Sequence, residues 1–211
     1  MRRRLVVLPA LALVLAACGA DGPVVLEPSA PLSPTSAAPA ATAAPSPTGP
    51  GEVAAPQVAE TVVTGLTSPW GLAFLPDGGF LVTERGGRLL HFSAQGDRQK
   101  VDGVPKVRAK GQGGLLDVLV PRDFAQTREV FLSYARPQGG GAGTAVGVGR
   151  LSADGSRLEG FKTILAMAAS SSGGRHFGSR LVEGPDGFIF VTVGERGEDA
   201  AAQDLSRLHG S

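Results

Sequence analysis

The feature that most limits the fold is a hairpin written twice. Leu72 to Thr83 reads LAFLPDGGFLVT, and Leu181 to Thr192 reads LVEGPDGFIFVT. In each, a run of strand formers enters Pro-Asp-Gly and a second run leaves it. Proline presets φ, aspartate bonds its own backbone and glycine takes positive φ, so the triplet reverses the chain. Leu115 to Val120 and Val130 to Tyr134 form a related pair around Pro121-Arg122-Asp123-Phe124, and Arg88 to Phe92 adds a strand after Gly86-Gly87. Pro76, Pro121 and Pro185 lie 45 and 64 residues apart. Antiparallel units at this period predict an all-β fold built from four-stranded β-propeller blades, two to three of them, with a sandwich as the main competitor. There is no long amphipathic helical pattern in this part.

The repeats occupy only the later part of the 211 residues. Met1 to Ala17 has three arginines and then an apolar run from Leu5 to Ala17, 13 residues long, too short to span a membrane as a helix. It reads as an export signal. Leu15-Ala16-Ala17-Cys18 resembles a bacterial lipobox, which implies cleavage before Cys18 and lipid attachment to it; the other reading is an ordinary secretory signal followed by a free thiol. A lipid-anchored product is expected on the cell envelope, at its periplasmic face or at the cell surface, and Gly19 is compatible with an outer-membrane destination. Residues 18–58 are rich in Pro, Ala, Ser and Thr and lack aromatic residues, which predicts a mobile tether. Residues 59–211 form one folded part.

Cysteine and charge narrow the function classes. A single cysteine excludes an internal disulfide and a multi-cysteine metal site. The net charge is +1, and losing Arg2, Arg3 and Arg4 leaves the rest near −2, so nothing points to nucleic acid.

Candidate chemistry gathers in two glycine-rich entries to strands. Ser170 to Arg196 places His176 among Gly173, Gly174 and Gly178, just before strand formers. Imidazole takes a proton near neutral pH, which makes His176 a candidate general base. By residues alone, a histidine hydrogen-bonded in a strand-entry turn fits as well. Gln112 lies in KGQGGLLD, which lacks phosphate-loop spacing. Its amide offers a ligand a donor and an acceptor, or it is simply solvated. Gly139 to Gly143 reads as a flexible loop. Glu195, Glu198, Asp199 and Asp204 form an acidic group, either a seat for a hard cation such as calcium or a solvated charged loop. No metal ligand is assigned.

Together the segments GLTSPWGLAFLPDGGFLVTERGGRL, GQGGLLDVLVPRDFA, GTAVGVGRLSADGSRLE, GGRHFGSRLVEGPDGFIFVTVGERG and AQDLSRLHG, in this order, resemble the pyrroloquinoline-quinone (PQQ)-dependent aldose sugar dehydrogenases of the soluble glucose and sorbosone dehydrogenase family. The resemblance runs from about Val62 to Gly210. It implies a six-bladed propeller with PQQ on one face, and hydride transfer from C1 of an aldose to the quinone, giving a lactone. His176 would be the general base, and Gln112, Arg175 and His176 would lie at the cofactor. A separate electron acceptor and calcium are implied as well, the calcium ligands mainly in a part of the family pattern that follows Ser211.

Three departures stand out. Arg175 puts a cation where relatives carry Asp, Asn or His, which changes the electrostatics around His176. Glu183 stands where an apolar residue is usual, so its carboxylate needs solvent or a partner. The chain stops at His209-Gly210-Ser211, before the family's GHRNPQG-like stretch. The expectation is therefore an N-terminal part that alone neither closes a stable propeller nor oxidises sugar. The competing functions are a non-catalytic propeller lipoprotein binding a ligand or partner on the same face, and a truncated non-functional product.

Overall fold

The computed structural model describes residues 60–168 and 173–209. The leader, Cys18 and the linker to Val58 lie outside them, as do Ser170 to Ser172, Gly210 and Ser211. Strands β1 (Pro69–Phe74), β2 (Phe80–Glu84), β3 (Arg88–Phe92) and β4 (Arg98–Val101) form one antiparallel meander in the order β1-β2-β3-β4. A second meander holds β5 (Leu115–Leu119), β6 (Glu129–Gln138), β7 (Gly141–Leu151) and β8 (Leu158–Ala166). The third sheet is the hairpin of β9 (Gly178–Glu183) and β10 (Ile189–Val193), followed by a 3-10 turn at Asp199–Gln203. Two complete blades and the inner half of a third are what the hairpin repeat predicts.

The repeated triplet makes the same turn twice. Leu75 N–H donates to Gly79 O at 2.8 Å and Gly184 N–H to Phe188 O at 2.8 Å. Asp77 Oδ1 and Asp186 Oδ1 accept the N–H two residues on, at 2.9 and 3.2 Å. Gly78 and Gly187 hold φ of +87° and +81°, a region glycine enters without strain. In the second blade a four-residue helix, α1 (Phe124–Thr127), replaces the tight turn and ends at Arg128 with φ +53°.

One sequence reading is corrected here. Gly139 to Gly143 is not a loop: only Gly139 and Gly140 turn, and Gly141 to Gly143 begin β7. The β6–β7 ladder runs unbroken from Glu129↔Arg150 to Gln138↔Gly141, and ten paired positions hold these glycines extended.

The core lies between sheets. Leu81, Leu89 and Val101 of the first blade pack with Leu115, Val130 and Leu132 of the second. Phe131, Val146 and Val148 pack in turn with Leu181, Ile189 and Val191 of the third. Each fully buried side chain of this kind contributes about 1.5–3 kcal/mol.

Hydroxyls carry main-chain hydrogen bonding from blade to blade. Thr83 Oγ1, on β2, accepts from Gly71 N–H at 2.8 Å and donates to Leu116 O of the next blade at 2.5 Å. Ser133 Oγ, on β6, accepts from Asp117 N–H at 2.8 Å and donates to Ser179 O of the next blade at 2.6 Å. Both hydroxyl residues are fully buried.

Asp117 joins the three innermost strands. Its carboxylate, buried on β5, accepts from Leu181 N–H and from Arg180 Nη1, each at 2.8 Å. The Arg180 guanidinium lies 4.4 Å from the Trp70 ring centroid on β1. Burial pushes the Asp117 carboxyl above its ordinary range, against the opposing pull of the Leu181 amide and of Arg180. Glu183 finds the partner it needs: Oε2 accepts from Arg122 N–H at 2.8 Å, and the Arg122 guanidinium approaches to 3.5 Å.

Replacing Asp117 with alanine leaves Leu181 N–H without its acceptor and Arg180 without its ion pair. The expected loss is about 1–3 kcal/mol, read as a lower urea midpoint. An unchanged midpoint would contradict the joining role.

Candidate functional site

The repeat brings the two glycine-rich entries together. Residues 110–114 lead into β5 and residues 173–177 lead into β9, so they occupy equivalent places on adjacent blades. Gln112 N–H donates to Gly174 O at 2.6 Å, and Gln112 Oε1 accepts from His176 N–H at 2.7 Å. Two residues 64 apart in sequence thus share one loop contact. The acceptor end of the Gln112 amide is engaged by the protein, so what it offers a ligand is its N–H2.

His176 is exposed and has φ of +54°. A non-glycine residue in this region costs about 1–3 kcal/mol and persists only where its surroundings fix it. Gln112 fixes its backbone, and Glu195 fixes its ring: Nδ1 of His176 pairs with Glu195 Oε1. The same oxygen accepts from Gly197 N–H at 3.0 Å. The hydrogen bond from His176 lowers the Glu195 carboxyl below its ordinary range. A Cβ on Gly194 would stand 2.1 Å from His176 O, so only glycine lets the end of β10 pass this close.

Arg196 supports the loop from beneath. It is buried, its guanidinium carbon lies 3.2 Å from the Phe177 ring centroid, and Nη2 donates to Gly173 O at 3.0 Å and Ala142 O at 3.3 Å. Desolvation lowers its pKa from the ordinary arginine value. Thr144 Oγ1 adds a bond to Phe177 O at 3.1 Å. The loop carrying His176 is therefore tied to both sides of the blade junction.

A cavity of about 190 Å³ opens beside this constellation, lined by Trp70, Gln112, Leu116, Phe177 and Gly178. Exposed cations stand on the same loops: Lys110 and Arg175. Arg175 lies over Gly197, where a Cβ would come within 2.7 Å of its Nε. A flat, multiply anionic quinone fits such a setting, with the Gln112 amide and the Trp70 and Phe177 rings in the recess and an imidazole and two cations on the loops beside it.

Of the residues singled out in the sequence, Gln112, Arg175 and His176 converge here. The acidic group does not converge. Glu195 turns to His176, Glu198 pairs with Arg207 at 2.9 Å, and Asp204 accepts from Ser206 at 2.6 and 3.0 Å. Among the described residues no three His, Cys, Asp or Glu side chains form a metal-binding group. Glu195, Arg196 and Trp70 carry parts of the site that the sequence did not assign to it. The one available signal for Glu195 was its place just past the second strand of the hairpin that follows His176.

The Glucose / Sorbosone dehydrogenase family pattern matches residues 66–211. The chain belongs to that family. It is 48% identical over 154 residues to the aldose sugar dehydrogenase YliI of Escherichia coli K12, covering 72% of this chain and 42% of that protein. The apo crystal structure of the soluble aldose sugar dehydrogenase from Escherichia coli aligns with TM-score 0.64 at 48% identity, over 69% of this chain and 43% of that one. The PQQ-bound aldose sugar dehydrogenase of Streptomyces coelicolor aligns with TM-score 0.66 at 30% identity, over 73% of this chain and 46% of that one. The chain thus spans less than half the length of these relatives.

The His176–Glu195 pair predicts a pH signature. With the Glu195 carboxyl lowered, the pair's contribution is present above the ordinary carboxylate pKa and is lost as pH falls through the lowered value. Carboxyl NMR titration is expected to place the Glu195 midpoint below 4.5, the ordinary value, and His176→Ala to move it upward. A midpoint indifferent to His176→Ala would exclude the pairing.

Proposed function

We propose that this protein is a PQQ-dependent sugar dehydrogenase that oxidises C1 of an aldose to the lactone, with His176 as general base. The observation that carries the reading is the imidazole of His176, exposed and held at two points by Gln112 and Glu195. The quinone reading draws on the PQQ-bound Streptomyces coelicolor relative, and the sugar reading on the Escherichia coli one.

The chain's own part in the chemistry follows from the hydrogen bonds. An ionised Glu195 accepts at Nδ1, which makes Nδ1 the protonated nitrogen and leaves the Nε2 lone pair for the C1 hydroxyl proton. The left-handed backbone of His176 aims the ring, and Gln112 prevents that backbone from relaxing. The amide N–H2 of Gln112 orients an oxygen of sugar or cofactor, while Lys110 and Arg175 attract carboxylates. Bound PQQ supplies the hydride acceptor, and a separate acceptor then takes the electrons. Calcium belongs to the same reading, but no group in this part is assigned to it.

Export and lipid attachment at Cys18 complete the proposal, placing a tethered enzyme at the cell envelope. Residues 18–58 would give it reach.

Trp70, the chain's single tryptophan, lines the cavity, so PQQ entering there is expected to quench its emission. Gln112→Ala should weaken that quenching. In the whole protein, His176→Ala is expected to lower aldose-dependent dye reduction by about 10²–10⁴-fold with quinone uptake retained. Full turnover in His176→Ala would exclude it as the base; the absence of any quinone-dependent quenching or turnover would overturn the quinoprotein reading.

A further inference from the structure

Trp70 walls the cavity beside Gln112, yet its own strand does not aim it. The register of β1 on β2 is regular from Leu72 to Phe74 and shifts between Pro69 and Leu72, so Trp70 and Gly71 fall in the irregular stretch. Two residues before Trp70, Ser68 holds φ of +50°. A break of this kind in a ladder re-aims side chains, and the direction of Trp70 must then come from what packs on it.

Two contacts supply that direction. The ring packs on the apolar cluster of Leu116, Ala135, Ala142 and Phe177, and the Arg180 guanidinium lies over it, 4.4 Å from its centroid. The Arg180 side chain is 55% exposed, so burial does not keep it there. Asp117 does: Oδ1 accepts from Arg180 Nη1 at 2.8 Å, while Oδ2 is held by Leu181 N–H at 2.8 Å. The same Oδ1 would stand 2.8 Å from a Cβ on Gly71, so a bare backbone next to Trp70 is what admits the carboxylate. Asp117 therefore fixes this corner twice, directly against Gly71 and through Arg180 against the Trp70 ring.

We infer that Arg180 is a positioning residue for the ligand recess: its guanidinium, held by Asp117, clamps the Trp70 ring as a fixed wall and so sets how tightly a flat ligand is held there. A planar cation over an aromatic face attracts it electrostatically, and a ring already fixed spares a ligand the cost of ordering it. Lysine would keep a charge opposite Asp117 but not the planar cover. That the ligand is PQQ rests on the function proposed above. The clamp itself rests on contacts within the chain.

The test uses the full chain, in which Trp70 is the single tryptophan, and compares Arg180→Ala, Arg180→Lys and Ile189→Val. Ile189 lies in a core cluster that does not include Trp70, so Ile189→Val loosens the fold without touching the clamp. Both Arg180 variants are expected to raise acrylamide quenching of Trp70 emission and to weaken PQQ uptake about 2–5-fold. Arg180→Lys should do so with a melting midpoint near that of the unsubstituted chain, and it carries the comparison if Arg180→Ala does not fold. Ile189→Val should change neither readout. Trp70 shielded from acrylamide in the Arg180 variants as in the unsubstituted chain overturns the inference. So does an equal exposure in Ile189→Val, because the effect is then one of stability. If the unsubstituted chain takes up no PQQ, the quinoprotein reading falls, and the acrylamide comparison by itself still decides whether Arg180 holds the ring.

Discussion

The hydrogen bonds that pass from a side-chain hydroxyl on one blade to a main-chain carbonyl on the next set the geometry on which the rest of this molecule depends. Apolar packing between blades supplies most of the stabilisation, yet it is non-directional and tolerates sliding. A hydroxyl with one donor and two acceptor lone pairs fixes a register, because it must meet an N–H in its own sheet and a C=O in its neighbour. Thr83 and Ser133 do this in sequence, and Asp117 adds the amide of Leu181 and the guanidinium of Arg180. An innermost strand shifted by one residue would turn the wrong carbonyl to each hydroxyl and bury the wrong face.

The candidate site follows from that register. Since β5 and β9 are held in equivalent positions, the segments that enter them end side by side. Gln112 and His176 meet because their blades are aligned, without any contact designed between distant parts of the chain. The loop can then carry a strained residue. His176 and Arg196 hold φ of +54° and +65°, and around them Gln112, Glu195, Phe177 and Gly173 are all tied by named bonds or contacts. Rigidity at the inner strands and strain at the loop are two sides of one arrangement.

What was legible in the sequence was what repeats or what turns. Pro-Asp-Gly encodes its turn locally, so both hairpins could be read directly, and their spacing gave the blades. Glycine around His176 and Gln112 marked where backbone approaches backbone. Long-range polar pairing was not legible: that Glu195 faces an imidazole rather than its acidic neighbours depends on where β10 ends. Asp117 gave no signal either, as one acidic residue in an apolar strand looks the same whether it meets solvent or a buried amide. Gly139 to Gly143 misled because glycine composition reads as loop, while a ten-pair ladder with the neighbouring strand overrides local preference.

Arg175 shows how far the charge at such a site is set by local folding. Its side chain lies over Gly197, beside the segment that begins with Glu195 and Glu198. The Glu195 carboxylate of the same segment pairs with the imidazole at Nδ1. Gly197 admits both side chains, giving its N–H to Glu195 and its open face to Arg175. The arginine at position 175 is thus accommodated by a residue that carries no side chain. The imidazole keeps its carboxylate partner, and Arg175 stays exposed on the loop that carries it.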